Sequence, residues 1–180
     1  INLKNDFRRR LAFDELLSHQ LAIAIIRTIN QKKKFFSFKN KNVITKKFIE
    51  KLNFKLTQSQ LNVLKEINQD LDSENQMIRL LQGDVGSGKT IVALISMLKV
   101  VESGHQAALM VPTSILAYQH YENFTIFLKE FDIKVDILTG KDKGKDRIKK
   151  LENISNGHTK IIIGTHALIQ ENVKFKSIGL

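Results

Sequence analysis

The chain has 180 residues, 42% hydrophobic and 26% charged, which is enough for one domain with a core plus an appendage. It has no cysteine, which excludes disulfide frameworks and thiolate metal sites, and its apolar runs are too short to cross a bilayer; a cytoplasmic protein with no membrane partner is expected. The formal net charge of +11 invites a nucleic-acid partner, although abundant Lys, Asn, Ile and Phe beside one Pro and no Trp also fit the codon bias of an A·T-rich genome. The first residue is Ile rather than Met, as expected of a piece of a longer protein.

Residues 1 to 30 read as a helix. Leu11, Phe13, Leu16, Leu17, Leu21, Ile25 and Ile29 recur near helical spacing, and the run Leu21 to Ile26 is apolar all round, so this helix is expected to pack into something larger. Lys32, Lys33 and Lys34 then suit a helix C-terminus. Residues 31 to 49 hold no acid and interleave lysines with Phe35, Phe36, Phe38 and Phe48, which reads as a basic linker whose aromatic rings dock on a neighbouring domain. A domain is expected from residue 52 to 180, after a helical segment and linker over 1 to 51. Its first helix follows Thr57, with Thr57 and Gln60 spaced as a capping box.

An apolar run, Met77 to Leu81, reads as a strand and leads into Gly83-Asp84-Val85-Gly86-Ser87-Gly88-Lys89-Thr90. A long apolar helix pattern, Ile91 to Val101, leads out. Strand, glycine turn and helix in that order are the context of a phosphate-binding loop. Glycines let backbone N–H groups approach an anion closely, and the helix N-terminus adds unpaired donors and partial positive charge. Lys89 brings a cation to the terminal phosphates, and the Thr90 hydroxyl suits Mg²⁺. ATP and Mg²⁺ are therefore the expected cofactors. Asp84 reads either as an orienting group for the loop or as a turn former.

Further strands are expected at Ala107 to Val111, Val135 to Leu138 and Ile161 to Ile163, with helices at Ile115 to Phe131 and Asp146 to Ser155 between them. Alternation of this kind predicts a parallel α/β sheet covered on both faces. Right-handed crossovers place all strand C-termini on one edge, where ligands of open sheets bind. Four turns fall there: the phosphate loop, Pro112-Thr113, Thr139-Gly140-Lys141 and Gly164-Thr165-His166. One would hold nucleotide, leaving three for a second ligand. The five histidines show no metal-ligand spacing.

Several segments together resemble the RecG-type branch-migrating DNA helicases of superfamily 2. Leu-Gln-Gly-Asp-Val-Gly-Ser-Gly-Lys-Thr (81–90) is similar to that family's motif I, and Leu-Met-Val-Pro-Thr-Ser-Ile-Leu-Ala-Tyr-Gln-His (109–120) to motif Ia. Ile-Gly-Thr-His-Ala-Leu-Ile-Gln (163–170) resembles the stretch before the acidic ATPase motif. Arg10 to Ala22 resembles the helical segment leading into the motor, and Leu56-Thr57 with Gln60 the adenine-recognition region. The resemblance implies a RecA-like lobe that binds ATP through Gly83 to Thr90, with Gln60 against adenine. It also implies contacts along branched or forked DNA, without sequence preference, at the turns Pro112-Thr113, Thr139-Gly140-Lys141 and Gly164-Thr165-His166. A monomer is expected. The family's next strand, with its acidic pair, and its second lobe would lie beyond Leu180, so the piece alone is expected to be inactive in hydrolysis. Transcription-repair coupling translocases share the loop but usually place an aromatic where Ser87 stands. A P-loop small-molecule kinase has no reason to carry polar turns after successive strands, and a non-enzymatic nucleic-acid module would not depend on Lys89.

Overall fold

The helix that leaves the phosphate loop has no polar face, so it has to be covered on all sides. In the computed structural model, which describes residues 6–31 and 35–180, this helix runs Lys89–Glu102, here α4 in an order that begins with α1 (Asp6–Gln31), α2 (Val43–Glu50) and α3 (Gln58–Asp72). Ile91, Val92, Leu94, Ile95, Met97, Leu98, Val100 and Val101 are all buried. Each such side chain stabilises by about 1.5–3 kcal/mol relative to staying exposed. Helices α2 and α3 pack on α4 from one side and the first strand from another.

After α4 come β1 (Ala107–Met110), α5 (Ser114–Phe127), β2 (Val135–Leu138), α6 (Gly144–Ser155), β3 (Ile161–Gly164) and a 3₁₀ turn over His166–Ile169. The three strands form a parallel sheet in the order β1-β3-β2, with Leu109 and Ile137 both opposite Ile163. β3 is the central strand and is wholly buried, as its run of three isoleucines suggests. The α/β parallel class expected from the alternation is therefore present.

Residues 177–180 run alongside the free edge of β1. Gln106 N–H donates to the Ser177 carbonyl at 2.8 Å, Gly179 N–H to Gln106 at 2.8 Å and Ala108 N–H to Leu180 at 2.7 Å. The buried Gln106 side chain fixes this arrangement. Its amide N–H group donates to the carbonyls of Ile154 (2.9 Å) and Thr159 (2.8 Å), and its oxygen accepts from the N–H groups of Lys176 (2.9 Å) and Ser177 (3.2 Å). An amide with all four capacities used is fully satisfied in the core.

The strand expected at Met77 to Leu81 is not one. Met77 and Leu81 lie against the core, whereas Ile78, Arg79 and Leu80 between them are exposed, Ile78 and Leu80 at 76% and 87%. The segment makes no ladder with any described strand. A cavity of about 370 Å³, lined by Met77, Phe35 and Ile178 to Leu180, takes the place of a neighbouring strand. Arg79 instead ties the segment to α3 through Glu66 (2.6 Å) and Asp70 (2.7 Å).

Residues 35–51 pack their aromatic rings into the same core: Phe38 is 1% and Phe48 2% exposed. They also contain α2, which sequence periodicity over so short and basic a stretch did not reveal. Its N-terminus is capped from α4, where the Glu102 carboxylate accepts from Val43 N–H (2.5 Å) and from Thr45 N–H and hydroxyl (3.4 and 3.3 Å). Helix α1 leaves Leu11, Phe13, Leu16, Leu21, Ile25 and Ile26 exposed among the described residues. The triplet Lys32–Lys34 lies outside the described residues. Among those residues no helix is long and apolar enough to cross a membrane.

The close approach of β2 and β3 makes a direct test of the sheet. A Cβ on Gly164 would stand 2.1 Å from the Leu138 carbonyl oxygen, a backbone atom that cannot step aside, whereas one on Gly140 would meet nothing within 4 Å. Gly164→Ala is expected to destabilise by about 3 kcal/mol or more, and Gly140→Ala by less than about 0.5 kcal/mol. Urea midpoints of the two variants check this.

Candidate nucleotide site and strand-end rim

The phosphate loop takes its shape from two glycines in the left-handed region, Gly86 (φ 81°) and Gly88 (φ 82°). Side-chain-bearing residues adopt that region at a cost. Gly88 is the N-cap of α4, and Lys89 and Thr90 are its first two residues. The turn thus ends at a helix N-terminus whose leading N–H groups lack intrahelical partners. Gly83 is needed for space: a Cβ there would stand 2.8 Å from the Ser87 hydroxyl oxygen. Asp84 and Val85 are exposed at the tip.

Lys89 is folded over the loop. Its ammonium donates to the carbonyls of Gly83 (2.7 Å) and Asp84 (2.6 Å) and lies 3.5 Å from the Ser87 hydroxyl. These contacts hold the cation at the mouth of the turn, where an anion bound by the loop N–H groups would meet it. Thr90 is exposed beside it. Among the described residues no cluster of carboxylates and histidines forms a metal cage. The donor set fits Mg²⁺ delivered with phosphates, which keeps most of its waters and takes few protein ligands.

Gln60 joins the loop to α3. The capping box read from the sequence is present: Thr57 Oγ1 accepts from Gln60 N–H (3.3 Å), and Gln60 Oε1 accepts from Thr57 N–H (2.9 Å). The other end of the amide donates to the Ser87 carbonyl at 2.9 Å. The cap of α3 and the closure of the phosphate loop therefore share one side chain. Next to them is a cavity of about 470 Å³, lined by Phe54, Thr57, Gln60, Gly88, Thr90 and Ile91 together with Gln119, His120 and Asn123 of α5. That size is in the range of small-molecule sites. His120 Nδ1 is buried, with no hydrogen-bond partner among the described residues. The α5 residues were not singled out in the sequence, because only the packing of α5 on the sheet brings them to the cavity beside the loop.

The three remaining turns follow β1, β2 and β3 on the same sheet edge, side by side in the order of the strands. Pro112, Thr113, Gly140, Lys141 and His166 are exposed, whereas Thr139, Gly164 and Thr165 are buried. Thr113 is the N-cap of α5 and accepts from Leu116 N–H at 3.3 Å. Thr139 is fully buried and hydrogen-bonds to Asp142. Burial alone would raise the Asp142 carboxyl above its ordinary value. Hydrogen bonds from the Lys150 ammonium and from the Thr139 backbone and hydroxyl outweigh that and hold it below. A carboxylate three residues after a turn threonine was the signal in the sequence, and it was not read.

Three outcomes are expected. Lys89→Ala removes a charge-assisted contact and should weaken Mg-ATP binding by about ten- to hundredfold with an unchanged melting temperature, measured by calorimetric titration. Gln60→Glu keeps a residue suited to the capping box but sets a carboxylate oxygen against the Ser87 carbonyl; α3 should stay capped while nucleotide affinity falls several-fold, on the order of one lost hydrogen bond. Because the Asp142 carboxyl is lowered on folding, its contribution to stability is present above its unfolded value, about pH 4, and is lost as the pH falls through the lower folded value. The stability difference between the native chain and Asp142→Asn should be constant from neutral pH to about pH 5 and should narrow below about pH 4, as denaturant melts at each pH would show.

Comparison with known proteins agrees with this geometry. The profile of the DEAD/DEAH box helicase family matches residues 57–180. The ATP-dependent DNA helicase RecG of Aquifex aeolicus is 43% identical over 99% of this chain, which spans 23% of that protein, and that of Thermotoga maritima is 46% identical over 96% of this chain and 22% of its own length. The chain therefore spans about a quarter of the length of the curated relatives it matches. A solved structure of RecG bound to a three-way DNA junction superposes with a TM-score of 0.88 at 45% identity, over 95% of this chain and 24% of that one. A hypothetical ATP-dependent RNA helicase from Sulfolobus tokodaii shares the fold at a TM-score of 0.52 and 21% identity. With the phosphate loop, the capping glutamine and the strand-end turns all inside the matched segment, the chain belongs to the DEAD/DEAH box helicase family.

Proposed function

We propose that this chain is the ATP-binding part of an ATP-dependent DNA helicase or translocase that remodels branched DNA, such as replication forks and recombination junctions, in repair and recombination. The observation that carries the reading is the phosphate-loop geometry of Gly83 to Thr90 at the head of α4, in a chain whose three polar turns lie at the ends of the three paired strands. Similarity to proteins named as ATP-dependent DNA helicases, one of them solved on a three-way junction, supports ATP and DNA as the ligands.

Gly83 to Thr90 bind ATP through loop N–H groups, with Lys89 at the terminal phosphates and the Thr90 hydroxyl toward Mg²⁺. Mg²⁺ supplies charge neutralisation between the phosphates. Gln60 has one amide hydrogen engaged by Ser87 and one oxygen lone pair engaged by Thr57, which leaves one donor and one acceptor for the edge of an adenine. The turns Pro112-Thr113, Thr139-Gly140-Lys141 and Gly164-Thr165-His166 follow one DNA strand and contact phosphates, which carry no sequence information. Residues 52–180 form the first motor lobe in this reading, and 1–51 a helical segment and a basic linker whose Phe38 and Phe48 pack into that lobe. The protein works as a cytoplasmic monomer.

Phosphoryl transfer needs groups around the γ-phosphate beyond a loop lysine and a metal-binding hydroxyl, and an arginine supplied in trans contributes about 10³–10⁵ in rate. The 180-residue chain is therefore expected to bind Mg-ATP in a Lys89-dependent way and to hydrolyse it negligibly, with or without forked DNA. It should bind DNA weakly, without sequence preference, and with affinity that falls steeply between low and high salt as counterions are released. Phosphate release and anisotropy titrations at several salt concentrations test both halves. DNA-stimulated turnover by this chain alone, or tight salt-independent DNA binding, would refute the assignment.

A further inference from the structure

The turn after β2 is built around a carboxylate. Thr139 N–H donates to Asp142 Oδ2 at 2.6 Å, and the Thr139 hydroxyl donates to the same oxygen at 3.1 Å. Asp142 Oδ1 accepts from the Lys150 ammonium of α6 at 2.5 Å. Asp142 N–H returns a bond to the Thr139 carbonyl at 3.2 Å, and Lys141 N–H donates to Thr139 Oγ1 at 3.3 Å. Residues 139–142 thus close on themselves with the carboxylate inside. The Asp142 side chain is 10% exposed and that of Lys150 is 22% exposed. What the closed turn presents outward is Gly140 and Lys141. Gly140 has open space around it and no hydrogen bond among the described residues, and the Lys141 side chain is in no ion pair among them.

We propose that Asp142 is a positioning residue for DNA binding: it holds the 139–142 turn so that Gly140 N–H and the Lys141 ammonium face a DNA phosphate, while Lys150 neutralises its charge. The proposal rests on the DNA-binding reading above. An acidic side chain at the edge of a surface meant for a polyanion repels it unless that charge is paired and withdrawn, and both conditions hold here. Helix α6 also links this turn to the next one, since Arg147 donates to Gln170, just past the β3 turn, at 2.7 Å. The two turns sit on paired strands, with Leu138 opposite Gly164.

The sign of the effect separates positioning from simple electrostatics. Removing a negative charge near DNA should tighten binding if charge alone mattered. Positioning gives the reverse. The experiment measures anisotropy of a labelled three-way DNA junction with the 180-residue chain, as wild type, Asp142→Ala, Asp142→Asn, Lys141→Ala and the Lys141→Ala/Asp142→Ala double variant, with Mg-ATP affinity measured on each. The expected result is about five- to tenfold weaker junction binding by Asp142→Ala, a salt slope smaller by about one as in Lys141→Ala, and a double variant no weaker than either single one. Mg-ATP affinity should not change. Asp142→Asn, which keeps an acceptor for Thr139, should fall between wild type and Asp142→Ala and serves in its place if that variant does not fold. Equal or tighter junction binding by the Asp142 variants, or loss of Mg-ATP affinity in step with DNA affinity, would overturn the proposal. A wild-type chain that binds Mg-ATP but no DNA at low salt would overturn the DNA reading itself.

Discussion

The burial of α4 on all sides beyond its first turn sets the positions of the other elements. Ten of its fourteen residues are buried, including Lys99, which reaches Asp72 at 2.8 Å. A helix without a water-facing side can exist only if several elements cover it at once, and here α2, α3 and the sheet do so. The consequence is local and chemical. The first turn of α4 emerges from that packing at a fixed place, so its unpaired N–H groups, Lys89 and Thr90 are preorganised at the edge of the core. An anion site on a mobile segment would have to bear the ordering cost at each binding event.

The same packing makes Gln60 more than a cap. α3 lies on α4, so the N-terminus of α3 arrives beside the phosphate loop, and one amide meets both. Closure of the loop is then coupled to the end of a separate helix through two hydrogen bonds. The cavity beside that amide is completed by Gln119, His120 and Asn123 of α5.

Along the strand-end edge, burial divides residues that look alike in sequence. Thr113, Thr139 and Thr165 each follow a strand. Thr113 is exposed at the head of α5, whereas Thr139 and Thr165 face inward. The outward face of the edge is made by Pro112, Thr113, Gly140, Lys141 and His166. The threonines inside shape the turns, and the neighbouring backbone and basic side chains remain for a ligand.

The sequence by itself determined the chemistry that depends on short-range spacing. The glycine pattern from Gly83 to Lys89, the capping box of Thr57 and Gln60, the apolar character of α4 and of Ile161 to Ile163, and the alternation of elements are all local, and each was legible. Segments read only by periodicity fared less well. Met77 to Leu81 is an apolar run that reads as a strand, but strand formation needs a partner edge, and no described strand pairs with it. Helix α2 carries too few periodic positions to declare itself, and forms because Phe48 and the Glu102 cap hold it to α4. Lys150 meets Asp142 across 8 residues, Gln60 meets Ser87 across 27, and the α5 wall of the cavity faces Gln60 and Gly88 from farther still along the chain. Such contacts exist only once the sheet has brought the turns and helices together, so only the tertiary structure decided them.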